Sequence, residues 1–255
     1  MTAPHVLVTG ANRGIGAAIA QALAGDGWCV TLAGRSMPAL EEVRAGLPHA
    51  AEAAHGCVVL DVTDTASIER AFAQARARGG PLRALVNNAG AVETGSTRRF
   101  ALASWQKMLD VNLTGVFLCA QAALDDLRAA HGRIVNIAST AGQKGYARTA
   151  AYTAAKHGVV GLTRSLALEL AADGVSVNAV CPGYTDTDII RGGLRQIAAK
   201  TGQSEAQAMK TFTDANPMGR LVQPEEVAEV VRWLCRQAPA ALTGQAISVS
   251  GGEVT

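Results

Sequence analysis

Charge of one sign is not present in excess in this chain. Its 255 residues carry 23 lysines and arginines against 21 aspartates and glutamates, a formal net charge of +2. Gripping nucleic acid calls for a basic stripe or patch, so this balance argues against a nucleic-acid partner. No apolar run reaches the roughly 18 residues that a membrane span needs. The opening MTAPHVLVTG enters a strand-like stretch at once, so no signal peptide is expected. The five cysteines (Cys29, Cys57, Cys119, Cys181 and Cys235) are odd in number, widely scattered and form no C-x-x-C pair. Four of them sit among apolar neighbours, which points to buried free thiols in a reducing cytoplasm and not to a disulfide framework. The histidines make no close ligand pair, so no metal is expected. There is no G-x-S-x-G elbow and no Walker loop, which disfavours hydrolase and NTPase chemistry. There is also no internal repeat, low-complexity tract or Pro/Ser-rich linker. These absences leave a soluble globular enzyme or binding domain, with 49% hydrophobic residues to build its core.

What the chain does have is an alternation of two periods. Short β-branched, continuously apolar runs occur at 5–9, 29–33, 57–61, 84–87, 133–138, 176–180 and 246–249. Runs of that kind suit strands covered on both faces. Helical patterns lie between them at 15–24, 37–45, 65–78, 102–129, 152–172 and 225–236. Pro224 followed by Glu225 and Glu226 suits a helical first turn, where proline gives up no hydrogen bond and carboxylates meet the helix dipole. Strands alternating with helices predict right-handed crossovers. The expected fold is α/β: a doubly wound, seven-stranded parallel sheet with helices on both faces, Rossmann-like, in a single domain over 1–255. Residues 186–220 break the rhythm, and so long an excursion is expected to be a substrate lid.

The first strand ends in Thr9-Gly10-Ala11-Asn12-Arg13-Gly14-Ile15-Gly16, with an Ala-rich helix directly after it. The strict G-x-G-x-x-G fingerprint fails at Ile19, and the spacing present is G-x-x-x-G-x-G. The physics is similar: glycines permit a tight turn and close backbone approach, and a helix N-terminus offers N–H groups to a pyrophosphate. A nicotinamide dinucleotide site normally adds an acid at the end of the second strand for the ribose hydroxyls. Here that strand ends Leu32-Ala33-Gly34-Arg35-Ser36, with no carboxylate before Glu41. Gly34 removes the charge that would repel a 2′-phosphate, Arg35 offers it a donor fork, and Arg13 is placed to approach from the other side. NADPH is therefore expected in preference to NAD.

Three further segments complete a pattern: Asn87-Asn88-Ala89-Gly90 after the fourth strand, Asn136-Ile137-Ala138-Ser139 at the fifth, and Tyr152-Thr153-Ala154-Ala155-Lys156 opening a helix. Tyr152 and Lys156 are four apart and share a helical face. A phenol with an ordinary pKa near 10 needs help to exchange protons at neutral pH, which a neighbouring ammonium would supply. Ser139 would donate to a carbonyl oxygen as negative charge develops there. Together with the Thr9–Gly16 loop, Asn112 and Pro182-Gly183, these segments resemble the short-chain dehydrogenase/reductase family over essentially the whole chain. The resemblance implies Ser139, Tyr152, Lys156 and Asn112 as the catalytic set, with Asn112 at a proton-relay water and Lys156 also on the nicotinamide ribose. It further implies Asp61 and Val62 at the adenine, Asn88, Ala89 and Gly90 near the adenosine ribose, and Pro182, Gly183, Thr185 and Thr187 at the nicotinamide. Asp61 has a plainer reading as the cap of the following turn.

On substrate, residues 132–161 and 219–228 look like bacterial 3-oxoacyl thioester and polyketide ketoreductases. NADPH-dependent reduction of such a β-keto compound to the secondary alcohol is the leading expectation. An NAD-linked dehydrogenase of a secondary alcohol or hydroxyacyl-CoA is the alternative. Carrier-protein reductases of this kind commonly place basic residues where this chain has Ala130 and Asp173, which leaves CoA thioesters or small ketones open. Arg191, Arg195, Lys200 and Lys210 in the excursion are candidates for CoA phosphates. Gln143, Tyr146 and Tyr184 border the catalytic residues and are expected, with Ser139 and Tyr152, to meet substrate. The resemblance also implies a homotetramer or dimer built on the helices carrying 116–130 and 150–170.

Overall fold

The structure, a computed structural model, describes residues 3–48, 54–214 and 216–255, without the side chains of 189, 196, 197 and 200. Seven parallel strands form one sheet in the order β3-β2-β1-β4-β5-β6-β7. The strands are β1 (His5–Thr9), β2 (Cys29–Gly34), β3 (Gly56–Val59), β4 (Ala84–Asn87), β5 (Arg133–Ile137), β6 (Ser176–Pro182) and β7 (Ala246–Val249). Val6 pairs with Val30 on one side and with Ala84 on the other, so the chain winds outward from β1 and then returns to its opposite edge. Loops diverge at such a reversal and leave a crevice at the carboxyl ends of the strands.

Burial on both faces explains the continuous apolar strands. Val6, Val8, Val30 and Leu32 point into one layer, packed by α1 (Gly14–Gly25), α2 (Met37–Ala45) and α9 (Pro224–Arg236). Leu7, Val58, Leu85, Ile134 and Val177 point into the other, covered by α3 (Thr65–Gly79), α5 (Gly115–Ala130) and α6 (Ala150–Leu170). Helix α9 starts as its sequence suggests, with Pro224 in the first turn and a capping box between Gln223 and Glu226. All five cysteines are buried and unpaired.

One expectation needs correction. The helical run over 102–129 is not one regular helix: α4 (Leu102–Leu109) and α5 are joined by a π-helical turn, Asp110–Thr114. That wider turn holds Asn112, whose amide is bonded to Ala91 and Met108. The excursion after β6 contains two helices the periodicity did not reveal, α7 (Asp188–Thr201) and α8 (Glu205–Thr213). Gly192 and Gly193 inside α7 mask its pattern, and α8 is fixed by a local capping box of Ser204 and Gln207.

Phe72 on α3 is among the largest fully buried side chains. Phe72→Ala is expected to cost about 3–5 kcal/mol in urea denaturation, through lost burial and the cavity left between α3 and the sheet at β2 and β3.

Candidate active site

The crevice begins at the glycine turn. Gly10 and Gly14 hold left-handed backbone, with φ of +64° and +52°. A Cβ on Gly16 would lie 2.3 Å from the Gly10 carbonyl oxygen, so only glycine allows α1 to start this close to β1. Asn88 lies across the turn, its Nδ2 donating to the carbonyls of Thr9 (3.0 Å) and Gly10 (3.1 Å). Thr9 Oγ1 accepts from the N–H groups of Asn88 and Ala89, both at 2.9 Å. Thr9 was not singled out from sequence, although a lone hydroxyl ending an apolar strand was a usable signal. Arg13 caps α1 with extended backbone and no side-chain bond to the first-turn N–H groups. The glycine cradle and the uncapped helix end fit a dinucleotide pyrophosphate.

At the end of β2, Gly34 sits beside Asn12, while Arg35 and Ser36 are exposed. Asp61 accepts from Thr63 through N–H (2.9 Å) and hydroxyl (2.7 Å), so it does cap its turn. Those two bonds, and then the Arg35 charge, hold its carboxyl below the usual range. Val62 packs against Gly115, where a Cβ would meet its carbonyl at 2.8 Å. Arg13 does not stand free beside Arg35: its guanidinium is 3.8 Å from Asp188 at the start of α7. Thr187 also lies against this turn, its Cγ2 3.2 Å from where a Gly14 Cβ would be.

Three elements bring the expected catalytic side chains together. Ser139 follows β5, and its Oγ accepts from Ala141 N–H at 3.1 Å. Tyr152 lies in the first turn of α6, and Lys156, one turn later, has Nζ 5.7 Å from the Tyr152 ring centre. Lys156 is buried and donates to the Ile137 carbonyl at 2.7 Å. Fully buried Asn112 donates to the carbonyls of Ala91 and Met108, both at 2.9 Å, and accepts from Ala91 N–H at 3.2 Å. Gly90 locates the two polar groups: a Cβ there would lie 3.0 Å from Asn112 Oδ1 and 3.9 Å from Lys156 Nζ. Beneath them runs a buried polar ladder. Asn87 donates to Asn136 (2.9 Å), Asn136 to Thr163 (2.9 Å), and Thr163 to the Val159 carbonyl (2.8 Å), tying β4, β5 and α6 together. Thr163 escaped the sequence reading because nothing local separates it from an ordinary helical threonine.

Burial raises the Tyr152 phenol above its ordinary value, and its hydrogen bond with Ser139 pulls it partly back. Burial lowers Lys156 itself, to about 8. Desolvation therefore governs both groups. A phenol kept protonated at neutral pH, touching a serine hydroxyl, is equipped to give a proton to a carbonyl oxygen.

On the far side, Tyr146 and Tyr184 meet edge to face at 6.0 Å, and Tyr184 meets Phe212 of α8 at 4.9 Å. Phe212, unremarked in the sequence, is the excursion's contribution to this aromatic wall. Gln143 is committed to β7, donating to Ala246 O at 3.3 Å and accepting from Ser248 Oγ at 3.0 Å. Thr185 donates to Gly183 O and Thr187 to Thr185 O, so Pro182–Thr187 is a tight, internally bonded turn. Arg191 is held bidentate by Asp186 at 2.9 and 3.1 Å and is not a free cation; the Lys200 side chain is outside the described ones.

Comparison with known proteins places this geometry. The family model described as short chain dehydrogenase matches residues 4–197. A 3-oxoacyl-[acyl-carrier-protein] reductase of a Synechocystis species is 39% identical over 258 residues, covering 100% of this chain and 98% of that protein. An acetoacetyl-CoA reductase of Shinella zoogloeoides is 36% identical over 250 residues, 97% of each chain. The crystal structure of a single-substitution variant of actinorhodin polyketide ketoreductase with NADPH matches at a TM-score of 0.91 and 40% identity, over 99% of each chain.

The lowered Lys156 value has a measurable sign. Its folded value of about 8 lies below the ordinary 10.5, so the unfolded chain binds more protons between those pH values, and stability rises with pH across that window. Lys156→Met should lack this rise. Urea denaturation at pH 7.5 and 10 should show the wild type gaining up to about 3 kcal/mol relative to the variant.

Proposed function

This chain belongs to the short-chain dehydrogenase/reductase family as an NADPH-dependent ketoreductase, and we propose that the ketone it reduces is a 3-oxoacyl thioester or a related β-keto compound. The observation carrying the proposal is the grouping of Tyr152 with Ser139 and Lys156, and of Lys156 and Asn112 against Gly90, beside the glycine cradle. The names of the Synechocystis and Shinella relatives supply the substrate class.

In this reading Gly10, Asn12, Gly14, Ile15 and Gly16 hold the pyrophosphate, and Arg13 approaches the 2′-phosphate from the glycine turn. Arg35 and Ser36 take the 2′-phosphate, Asp61 and Val62 the adenine, and Asn88, Ala89 and Gly90 the adenosine ribose. Pro182, Gly183, Thr185 and Thr187 face the nicotinamide. Bound NADPH supplies the hydride. Ser139 orients the substrate carbonyl, and Tyr152 gives its phenolic proton to the carbonyl oxygen as charge builds there. Lys156 steadies the phenolate left behind and holds the nicotinamide ribose, and the Asn112 turn returns a proton through water. The excursion over 186–220 acts as a lid that excludes bulk solvent, with Tyr146, Tyr184 and Gln143 shaping the pocket under it.

Among thioesters, a free CoA ester suits this chain better than an acidic carrier protein. Arg128, the cation beside Ala130, donates to Asp173 at 2.8 Å and lies 3.9 Å from Glu169, so its charge is already matched. The alternative of an NAD-linked dehydrogenase draws on the Arg13–Asp188 contact, which leaves Arg35 the less engaged of the two arginines. Self-association, as a dimer or tetramer, would cover Phe117 on α5 and Leu168 on α6, which are 43% and 84% exposed. Five buried unpaired thiols suit a cytoplasmic setting.

Initial rates with acetoacetyl-CoA and NADPH test the main reading directly: turnover is expected, and inertness alongside good turnover of unrelated ketones would overturn it. Arg35→Asp should raise the KM for NADPH by roughly tenfold or more while sparing NADH, since one charged bidentate contact is lost and a repulsive one gained. Light scattering should show an oligomer that Leu168→Glu shifts toward monomer.

A further inference from the structure

The C-terminal turn carries a residue that its surroundings do not explain as packing. Gly251 and Gly252 adopt φ of +62° and +90° and bring Glu253 inward. Its side chain is 1% exposed. Tyr146 donates its hydroxyl to Glu253 Oε1, and Lys144 Nζ lies 3.2 Å from the same oxygen. Lys144 also donates to the Glu253 backbone carbonyl at 3.3 Å. The second carboxylate oxygen, Oε2, is buried and has no hydrogen-bond partner. It faces Gly183, where a Cβ would approach it to 2.8 Å. The turn rests in addition on the end of the excursion, since a Cβ on Gly251 would strike Asn216 and one on Gly252 would meet Pro217 at 3.2 Å.

A half-satisfied buried carboxylate weakens a fold, and an apolar side chain of similar size would sit there at lower cost. Such local violations concentrate at functional sites. The groups Glu253 holds point the same way. Tyr146 hydrogen-bonds Thr140, the neighbour of Ser139, at 2.6 Å, and its ring stands edge-on to Tyr184, the neighbour of Gly183. The carboxylate thus binds the loop after β5, more than 100 residues earlier in the chain, and touches the turn after β6.

We propose that Glu253 is a positioning residue for substrate recognition: through Tyr146 and Lys144 it sets the wall formed by Tyr146 and Tyr184, and so determines which β-keto substrates fit beside Ser139. The proposal rests on the reading of Tyr146 and Tyr184 as substrate-side residues. It requires the contribution of Glu253 to be felt in substrate KM through Tyr146, not in cofactor binding and not in stability.

The test compares Glu253→Met, Glu253→Gln, Tyr146→Phe and the Glu253→Met/Tyr146→Phe pair. For each, KM and kcat are measured with acetoacetyl-CoA, NADPH affinity by fluorescence titration, and melting temperature by circular dichroism. Glu253→Met and Tyr146→Phe should each raise KM by about tenfold, and the pair should raise it no further, since both remove one shared contact. Glu253→Gln keeps an acceptor for the Tyr146 hydroxyl and should restore most of the KM. NADPH affinity should hold in every variant, and the melting temperature of Glu253→Met should stay level or rise. Unchanged KM in Glu253→Met, additive effects in the pair, or a joint fall of melting temperature and NADPH affinity would each overturn the proposal. Absence of turnover by the wild type would defeat the substrate reading instead. In that event tyrosine absorbance still decides, because the chain has three tyrosines and the Glu253 contact, after burial, holds the Tyr146 phenol up. Glu253→Gln should then let one tyrosine ionise at lower pH, and an unaltered titration would refute the link.

Discussion

The approach of Gly16 to the Gly10 carbonyl is the constraint on which the rest of the site depends. Any side chain at Gly16 would push α1 away from β1 and open the turn. With glycine there, α1 begins directly at the strand end and presents its N-terminus to the crevice. Asn88 spans Thr9 and Gly10 from the other side of the reversal in strand order. Cradle and catalytic cleft therefore share a wall, because the residues after β4 that clamp the glycine turn lead on to Gly90, against which Asn112 and Lys156 lie. A single close backbone contact thus fixes the glycine cradle relative to the corner where Asn112 and Lys156 meet Gly90.

Desolvation is the second organising influence. The polar groups of the site sit on a sheet buried on both faces, so each must find a partner or shift its protonation. Asn87, Asn136 and Thr163 solve this with a ladder of hydrogen bonds. Asn112 solves it with the backbone of Ala91 and Met108, at the cost of regular helix geometry. Lys156 solves it in part by donating to Ile137, and the remainder appears as a lowered ammonium value. The same burial holds Tyr152 protonated, which is the state a carbonyl reduction draws on.

Much of this was legible in the chain. Runs such as HVLVT and RIVNI announce strands with both faces covered, and their alternation with amphipathic stretches implies the doubly wound topology. The shared helical face of Tyr152 and Lys156 is read from spacing, because a helix of fixed pitch carries both, while Ser139 is marked by its place after a strand within the family resemblance. The excursion was legible only as an interruption, since the glycines of α7 and the shortness of α8 blur the helical period. The engagement of Gln143 with β7 and of Arg191 with Asp186 was not legible, because side chains of similar character sit free on many loops.

The division follows from range. Strands, helices, the glycine turn and the Tyr–Lys pair are properties of neighbours along the chain, and local sequence settles those through periodicity, backbone freedom and helical pitch. Which charge survives burial, which arginine stays available and which acid clamps Tyr146 depend on groups brought together from distant segments. Asp188 reaches Arg13 across the sheet's carboxyl edge, and Glu253 meets Lys144 across 109 residues. Desolvation and partner choice are collective properties of packing, so only the folded chain assigns them.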